Sequence, residues 1–169
     1  PDLFTLPHKA LRAYLGATAT RLGGLDVADR QALEAIRHDL HALIGELEAH
    51  GAHEDEFILP ILERRAPEIA AQLRRDHAEL ANALSDLRRT TELLAEEPTA
   101  GVQLALYRRL RRFEALNMRH LDFEETSVMP ALWASAPTAE LADVLTAFKV
   151  AHPEAADLYR LVPEALSPA

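Results

Sequence analysis

The chain has no cysteine, so it carries neither a disulfide framework nor a thiolate metal site. Any metal it holds must be bound through nitrogen and oxygen. Glycine is scarce, 6 in 169 residues, and β-branched residues are few, while Ala, Leu, Glu and Arg dominate; the balance favours helix throughout. No apolar run approaches the roughly 18 residues of a membrane span. The first residues, Pro1 to Leu6, lack the basic segment and long apolar stretch of a signal peptide. A cytoplasmic protein without a membrane partner is the expectation. Basic residues are outnumbered 18 to 27 by acidic ones, and the net charge of −9 argues against a nucleic-acid partner. The one basic cluster, Tyr107-Arg108-Arg109-Leu110-Arg111-Arg112, is interrupted by Leu at helical spacing and reads as a solvated helix face. There is no phosphate-binding glycine loop and no Ser-His-Asp or Cys-His arrangement.

What the chain does contain is a repeat. His50 is followed by Glu54 and then Pro60; His120 is followed by Glu124 and then Pro130, at the same offsets. Four residues is just over one helical turn, so each His and Glu projects from one face of one helix. Upstream, His8 precedes His50 by 42 residues and His77 precedes His120 by 43. Leu11 and Leu15 follow His8 at the offsets at which Leu80 and Leu84 follow His77. The chain is thus two copies of one unit, a helix with a lone His followed by a helix with His-x-x-x-Glu.

The punctuation agrees. A first helix is expected from Thr5 as N-cap, with Pro7 in its first turn, to Leu22 before Gly23-Gly24. A second, capped by Asp26 or Asp29, should reach at least Leu59 and be kinked or ended by Pro60. Gly51, inside it, would suit close approach of a neighbouring helix. A third runs from Pro67 to about Glu96, and a fourth starts near Thr99, with Pro130 repeating the role of Pro60. A fifth amphipathic segment follows Pro137 (Leu141, Val144, Leu145, Phe148), interrupted by Pro153. The expected fold is all-α: an antiparallel four-helix bundle over residues 1–136, with a C-terminal helical extension, 137–169, packed on the same domain.

On these helices His50 and Glu54 fall in the apolar stripe of Ile36, Leu40, Leu43, Leu47 and Phe57; His120 and Glu124 share theirs with Leu106, Leu110, Phe113 and Leu116. Ionisable groups are rarely placed there without partners. Converging inner stripes bring four His (8, 50, 77, 120) and two Glu (54, 124) together. A pair of divalent cations removes the cost of burying them, since neutral imidazoles donate nitrogen and each carboxylate can bridge two ions. Imidazole with carboxylate suits Fe, Mn or Zn, iron best matching carboxylate bridging. A single His on an apolar face is more often a satisfied core residue; the doubled pattern is what points to metal. His-Glu-x-x-His is absent, because Phe57 stands where the second His would be. Glu-x-x-His is absent too, because Leu47, Arg74 and Asn117 precede His50, His77 and His120 by three.

The set His8, His50-x-x-x-Glu54, His77, His120-x-x-x-Glu124, with its Pro60 and Pro130 endings, resembles the pattern of hemerythrin-like (HHE cation-binding) proteins over residues 5–134. The resemblance implies an antiparallel bundle holding an oxo- or hydroxo-bridged non-haem di-iron centre, with Mn or Zn as alternatives, and chemistry with O₂, peroxide or NO. His8 and His50 would hold one iron, His77 and His120 the other, and Glu54 and Glu124 would bridge. The chain departs from the oxygen carriers of that family. Their third helix has a His-x-x-x-His pair, whereas here Leu73 and Ala81 flank His77; their last carboxylate is an Asp five residues after its His, where this chain has Glu124 four after. Some relatives carry a Glu directly after the second-helix His, at Gly51 here. Fewer protein ligands leave more open positions on the metal, which favours reactivity over simple carriage.

His53, about 60° around the helix from His50, is a candidate extra ligand or hydrogen-bond partner, with an exposed helix residue as the plain alternative. His38, His41 and His152 read as surface or packing residues, and Asn117 and Tyr14 as hydrogen-bonders near the site, with Tyr107 well off the stripe. Leu47, Phe57, Phe113 and Leu116 read as core that keeps the site dry rather than as a substrate pocket. Three functions fit: an oxidase, oxygenase or peroxide-reducing enzyme that takes a small organic substrate or peroxide; an iron- or oxygen-responsive sensor or carrier; and a structural bundle that picks up zinc.

Overall fold

The computed structural model describes residues 1–151; His152, Pro153 and the rest of the tail lie outside the described residues. The first helix, α1, spans Thr5–Gly23; Thr5 is its first residue rather than its N-cap, a position held by Phe4 with no side-chain cap bond. The Asp2 carboxylate accepts from the backbone N–H groups of Phe4 and Thr5 at 2.9 and 3.0 Å and from the Thr5 hydroxyl at 2.7 Å. A charged acceptor is the stronger partner for the positive end of a helix, so it displaces the hydroxyl. The second helix, α2, spans Arg30–Phe57, and Asp29 is its cap, accepting from Gln31 and Ala32 N–H.

The two prolines are accommodated in different ways. Pro60 cannot donate and its ring crowds the carbonyl four residues back. The helix therefore stops at Phe57, two residues before the expected Leu59, turns at Ile58 and restarts as α3, Leu59–Arg65. After α4 (Pro67–Glu96), α5 (Ala100–Phe123) is capped by the Thr99 hydroxyl, which accepts from Val102 N–H. Before Pro130 the chain does not break. It widens into a π-helical turn, Glu124–Val128, and continues as α6, Met129–Ser135. A π turn inserted in an α-helix is rare and gathers at functional sites. The last helix, α7, spans Thr138–Ala151.

The four long helices close a ring: α1 packs on α2 and α5, and α4 on α2 and α5. Their directions follow from two separate apolar cores. Leu11, Leu15 and Leu22 of α1, Leu33 to Leu47 of α2, Leu80 to Leu94 of α4 and Leu106 to Phe113 of α5 build the first. Phe4, Ile58 to Leu62, Ala70, Leu73 and Val128 to Leu132 build the second. Thus α1 and α4 run from the second core to the first, and α2 and α5 run back, which is the antiparallel bundle expected. α7 lays Leu141 and Val144 on the second core, and its Glu140 pairs with Arg64 and Arg65 at 3.1 and 2.8 Å. Between the two cores lies a polar layer, where every long helix carries a histidine.

Gly51 does not serve a close helix contact: a Cβ built there meets nothing within 4 Å. Among the described residues no helix is long and apolar enough to cross a membrane.

Candidate metal centre

Each helix delivers its donor from the turn that joins the two cores. His8 lies between Phe4 and Leu11, His50 and Glu54 between Leu47 and Ile58, His77 between Leu73 and Leu80, and His120 and Glu124 between Phe113 and Val128. All six expected residues converge. Glu54 Oε1 stands 3.1 Å from His50 Nε2 and 3.9 Å from His8 Nε2, while its Oε2 stands 3.3 Å from His77 Nε2 and 4.0 Å from His120 Nε2. Glu124 mirrors it, with Oε2 3.3 Å from His8 Nε2 and Oε1 3.2 and 3.9 Å from His120 and His77 Nε2. Each carboxylate therefore turns one oxygen to the His8–His50 pair and the other to the His77–His120 pair. The imidazoles of each pair meet edge to face, at 5.2 Å for His8–His50 and 5.0 Å for His77–His120.

All four oxygens of Glu54 and Glu124, and Nε2 of His8, His50 and His77, have no hydrogen-bond partner of proper geometry among the described residues. Buried polar atoms are nearly always satisfied, so such a cluster points to a ligand. Donor atoms of His8, His50, Glu54 and Glu124 lie within 4.8 Å of one another, as do those of Glu54, His77, His120 and Glu124. Two cations sharing both carboxylates would satisfy every one of these atoms, so the residues present fit a dinuclear centre.

The titration of the six groups divides by role. Burial alone would push His8 and His77 down, but the carboxylates of Glu124 and Glu54 hold them protonated, at about 9 and about 11. Burial drives His50 and His120 down to about 4 and about 3, helped by the neighbouring imidazolium charges. Glu54, despite burial, is held well below the usual range by His50, His77 and His8, whereas burial and the charge of Glu54 raise Glu124 to about 7. At pH 8 the metal-free site thus carries protons on His8 and His77. A cation can bind only after displacing them. Loading divalent metal at pH 8 should release two protons per chain, read by calorimetry in buffers of different ionisation enthalpy. Release should shrink as pH rises through about 9 and about 11. No proton release would mean that His8 and His77 are not displaced by the ion.

Two further carboxylates complete the arrangement, and the sequence reading missed both. Glu125 Oε1 lies 2.8 Å from His8 Nδ1 and Asp55 Oδ1 lies 2.7 Å from His77 Nδ1. Each is the residue after a central Glu, and each reaches the lone His of the other copy. The visible signal was the matching acidic dipeptides Glu54-Asp55 and Glu124-Glu125. An acceptor on Nδ1 fixes the tautomer that presents a lone pair at Nε2 and raises its basicity. Asp55→Ala or Glu125→Ala should weaken metal binding by about 10- to 100-fold with little change in helicity, checked by competition with a chelator of known affinity. An unchanged affinity would leave both carboxylates as surface charge.

His53, the candidate extra ligand or hydrogen-bond partner, is in neither donor cluster, and its ring stands edge-on to Phe148 of α7, 4.9 Å away. The Tyr14 hydroxyl donates to the Asp39 carbonyl, tying α1 to α2 in the first core rather than serving the site. Tyr107 packs over Gly23 at the far end. His38 is exposed and His41 pairs with Glu92 at 3.3 Å, both as expected of surface residues. Asn117 is buried beside His120, with its Nδ2 unpartnered. Leu47 and Phe113 do not only seal the site: they also wall a cleft of about 250 Å³ between α2, α4 and α5 that reaches His50, His77 and His120.

An antiparallel bundle with imidazole and carboxylate converging in a layer between its cores defines a class of cation-binding helical proteins. The chain belongs to the hemerythrin family: the hemerythrin HHE cation-binding domain matches residues 1–132, and cation binding follows from that membership. No curated protein and no solved structure gives a significant match.

Proposed function

We propose that the chain is a non-haem di-iron protein that binds and activates or reduces O₂, peroxide or NO. His8 and His50 hold one ion, His77 and His120 the other, and Glu54 and Glu124 bridge them. The observation that carries this reading is the sharing of two buried, unsatisfied carboxylates between two imidazole pairs, an arrangement that one ion would leave half used. Bound iron would supply redox equivalents to a small oxidant.

The chain's own contribution is positional. Glu125 and Asp55 hold the Nδ1 protons of His8 and His77, so that both Nε2 lone pairs face inward. The two apolar cores exclude water above and below the layer. With six protein donors for two ions, exchangeable positions remain on the metals, consistent with reactivity rather than a closed structural site. The cleft opens toward three of the four imidazoles and offers a path for a small ligand, which favours an enzyme over a sensor whose only signal is occupancy.

Elemental analysis of protein purified without chelators, paired with absorbance spectra before and after admission of air, tests the proposal. About two irons per chain and a new near-ultraviolet band on exposure to air are expected. Zinc alone, or a fully folded protein with no metal, would overturn the redox reading.

A further inference from the structure

The two copies share their ligands but not their flanks. Four residues after His8 stands Arg12, whose guanidinium bonds Glu125 Oε1 at 2.7 Å and covers the His8 side of the layer. Four residues after His77 stands Ala81, an exposed residue that lines the cleft. Three residues before His50 stands Leu47; three before His120 stands Asn117. His8 thus stands beside an ion pair and outside the cleft, which borders the other three imidazoles, His50, His77 and His120.

The cleft has a graded lining. It is bordered by the small residues Gly51, Ala52 and Ala81 and by two paired carboxylates, Glu48 held by Arg88 at 2.6 Å and Asp55 by His77 Nδ1 at 2.7 Å, and its walls include the buried side chains of Leu47, Leu80, Leu84 and Phe113. At the inner end, beside His120, sits the amide of Asn117, 3 % exposed, with Nδ2 lacking a hydrogen-bond partner among the described residues. A buried donor left unmade is costly, so a bound acceptor is the natural occupant of its second valence. The volume of about 250 Å³ far exceeds what a diatomic or triatomic ligand fills. A cavity of about 150 Å³ already accommodates benzene.

We propose that this cleft binds a small organic molecule with an apolar body of about one aromatic ring and one acceptor group. Asn117 donates to that acceptor and turns it toward the His77–His120 side of the centre. The apolar body lies along Leu47, Leu80, Leu84 and Phe113. The substrate class is then a compact organic acid or comparable acceptor-bearing molecule rather than a gas alone. This deepens the dinuclear reading above and rests on it.

Acetate and benzoate are the probes, titrated into the iron-loaded full chain and followed by the change in its absorbance bands. Benzoate should bind about tenfold or more tightly than acetate, because the ring buries apolar surface that acetate lacks. Asn117→Leu should weaken both by about tenfold, the loss of one hydrogen bond to a charged acceptor. Ala81→Phe, at an exposed position bordering the cleft, should weaken benzoate more than acetate and so abolish the preference between them. Metal content and melting temperature are measured for every variant. Equal affinities for acetate and benzoate, or an Asn117→Leu variant that retains its iron and binds both as tightly as the parent, would overturn the proposal and leave the dinuclear reading standing. A parent protein that holds no iron would overturn both.

Discussion

Removing the metal with a chelator should lower the melting temperature by about 10 °C or more at pH 8. An ion present at about a thousand times its dissociation constant stabilises the fold by about 4 kcal/mol, and for a chain of this length each kcal/mol moves the midpoint by about 2–4 °C. The structure explains why the fall should be large. Without metal, seven buried atoms of His8, His50, Glu54, His77 and Glu124 have no hydrogen-bond partner of proper geometry among the described residues, in a layer between two apolar cores.

The dependence on pH has a defined sign. His8 and His77 titrate in the folded, metal-free protein at about 9 and about 11, above the ordinary 6.5. A raised histidine stabilises the fold fully below the unfolded value, and that contribution fades as pH climbs through the folded one. The metal-free protein should therefore weaken from pH 7 toward pH 10. Metal binding strengthens over the same interval, because fewer protons compete for the two imidazoles. The gap between loaded and chelated midpoints should widen with pH. Thermal scans of both forms across pH 6–10 would show it, and coincident midpoints would mean that the fold does not depend on an ion.

Glu124→Leu should separate metal binding from folding. In the metal-free protein this fully buried carboxylate is pushed up to about 7 by burial and by the charge of Glu54. Its folded value stands above the unfolded 4.5, so ionising it costs stability as pH rises through that window. Leu has a similar volume and no charge, and an apolar replacement for a buried ionic group is often neutral or stabilising where no partner charge is left uncompensated. His8 and His77 would then share Glu54 as their one central carboxylate, so that one becomes neutral, which burial alone already favours, and the other stays paired with Glu54. The expected variant folds as well as the parent in the absence of metal, within about 1 kcal/mol or better. Its affinity for the ion pair should fall at least about 100-fold, because loss of outer partners alone costs 10- to 100-fold and Glu124 reaches both imidazole pairs. A Glu124→Leu protein that is strongly destabilised without metal would instead make the carboxylate a structural residue.

Much of this protein could be read before any coordinates. Periodicity and capping signals determined four long helices, because a 3.6-residue stripe and a Pro or Gly boundary are local properties of the chain. The repeated His-x-x-x-Glu determined the six central residues, since a donor placed on an inner stripe must face whatever the other inner stripes carry. Local reading failed where neighbours distant in sequence compete. Thr5 became the first residue of α1 with its hydroxyl bonded to Asp2, and Pro60 and Pro130, alike in context, produced a break in one copy and a π turn in the other.

The tertiary structure alone decided what surrounds the six. Glu125 reaches His8 from 117 positions away, and Asp55 reaches His77 across the gap between α2 and α4. Side-chain spacing along one helix carries no information about such pairs. His53 meets Phe148 because α7 packs against α2. The cleft exists because small residues from two helices, Gly51 and Ala81, come to border the same space. A cavity is the volume that several elements leave unfilled, and no single stretch of sequence encodes it.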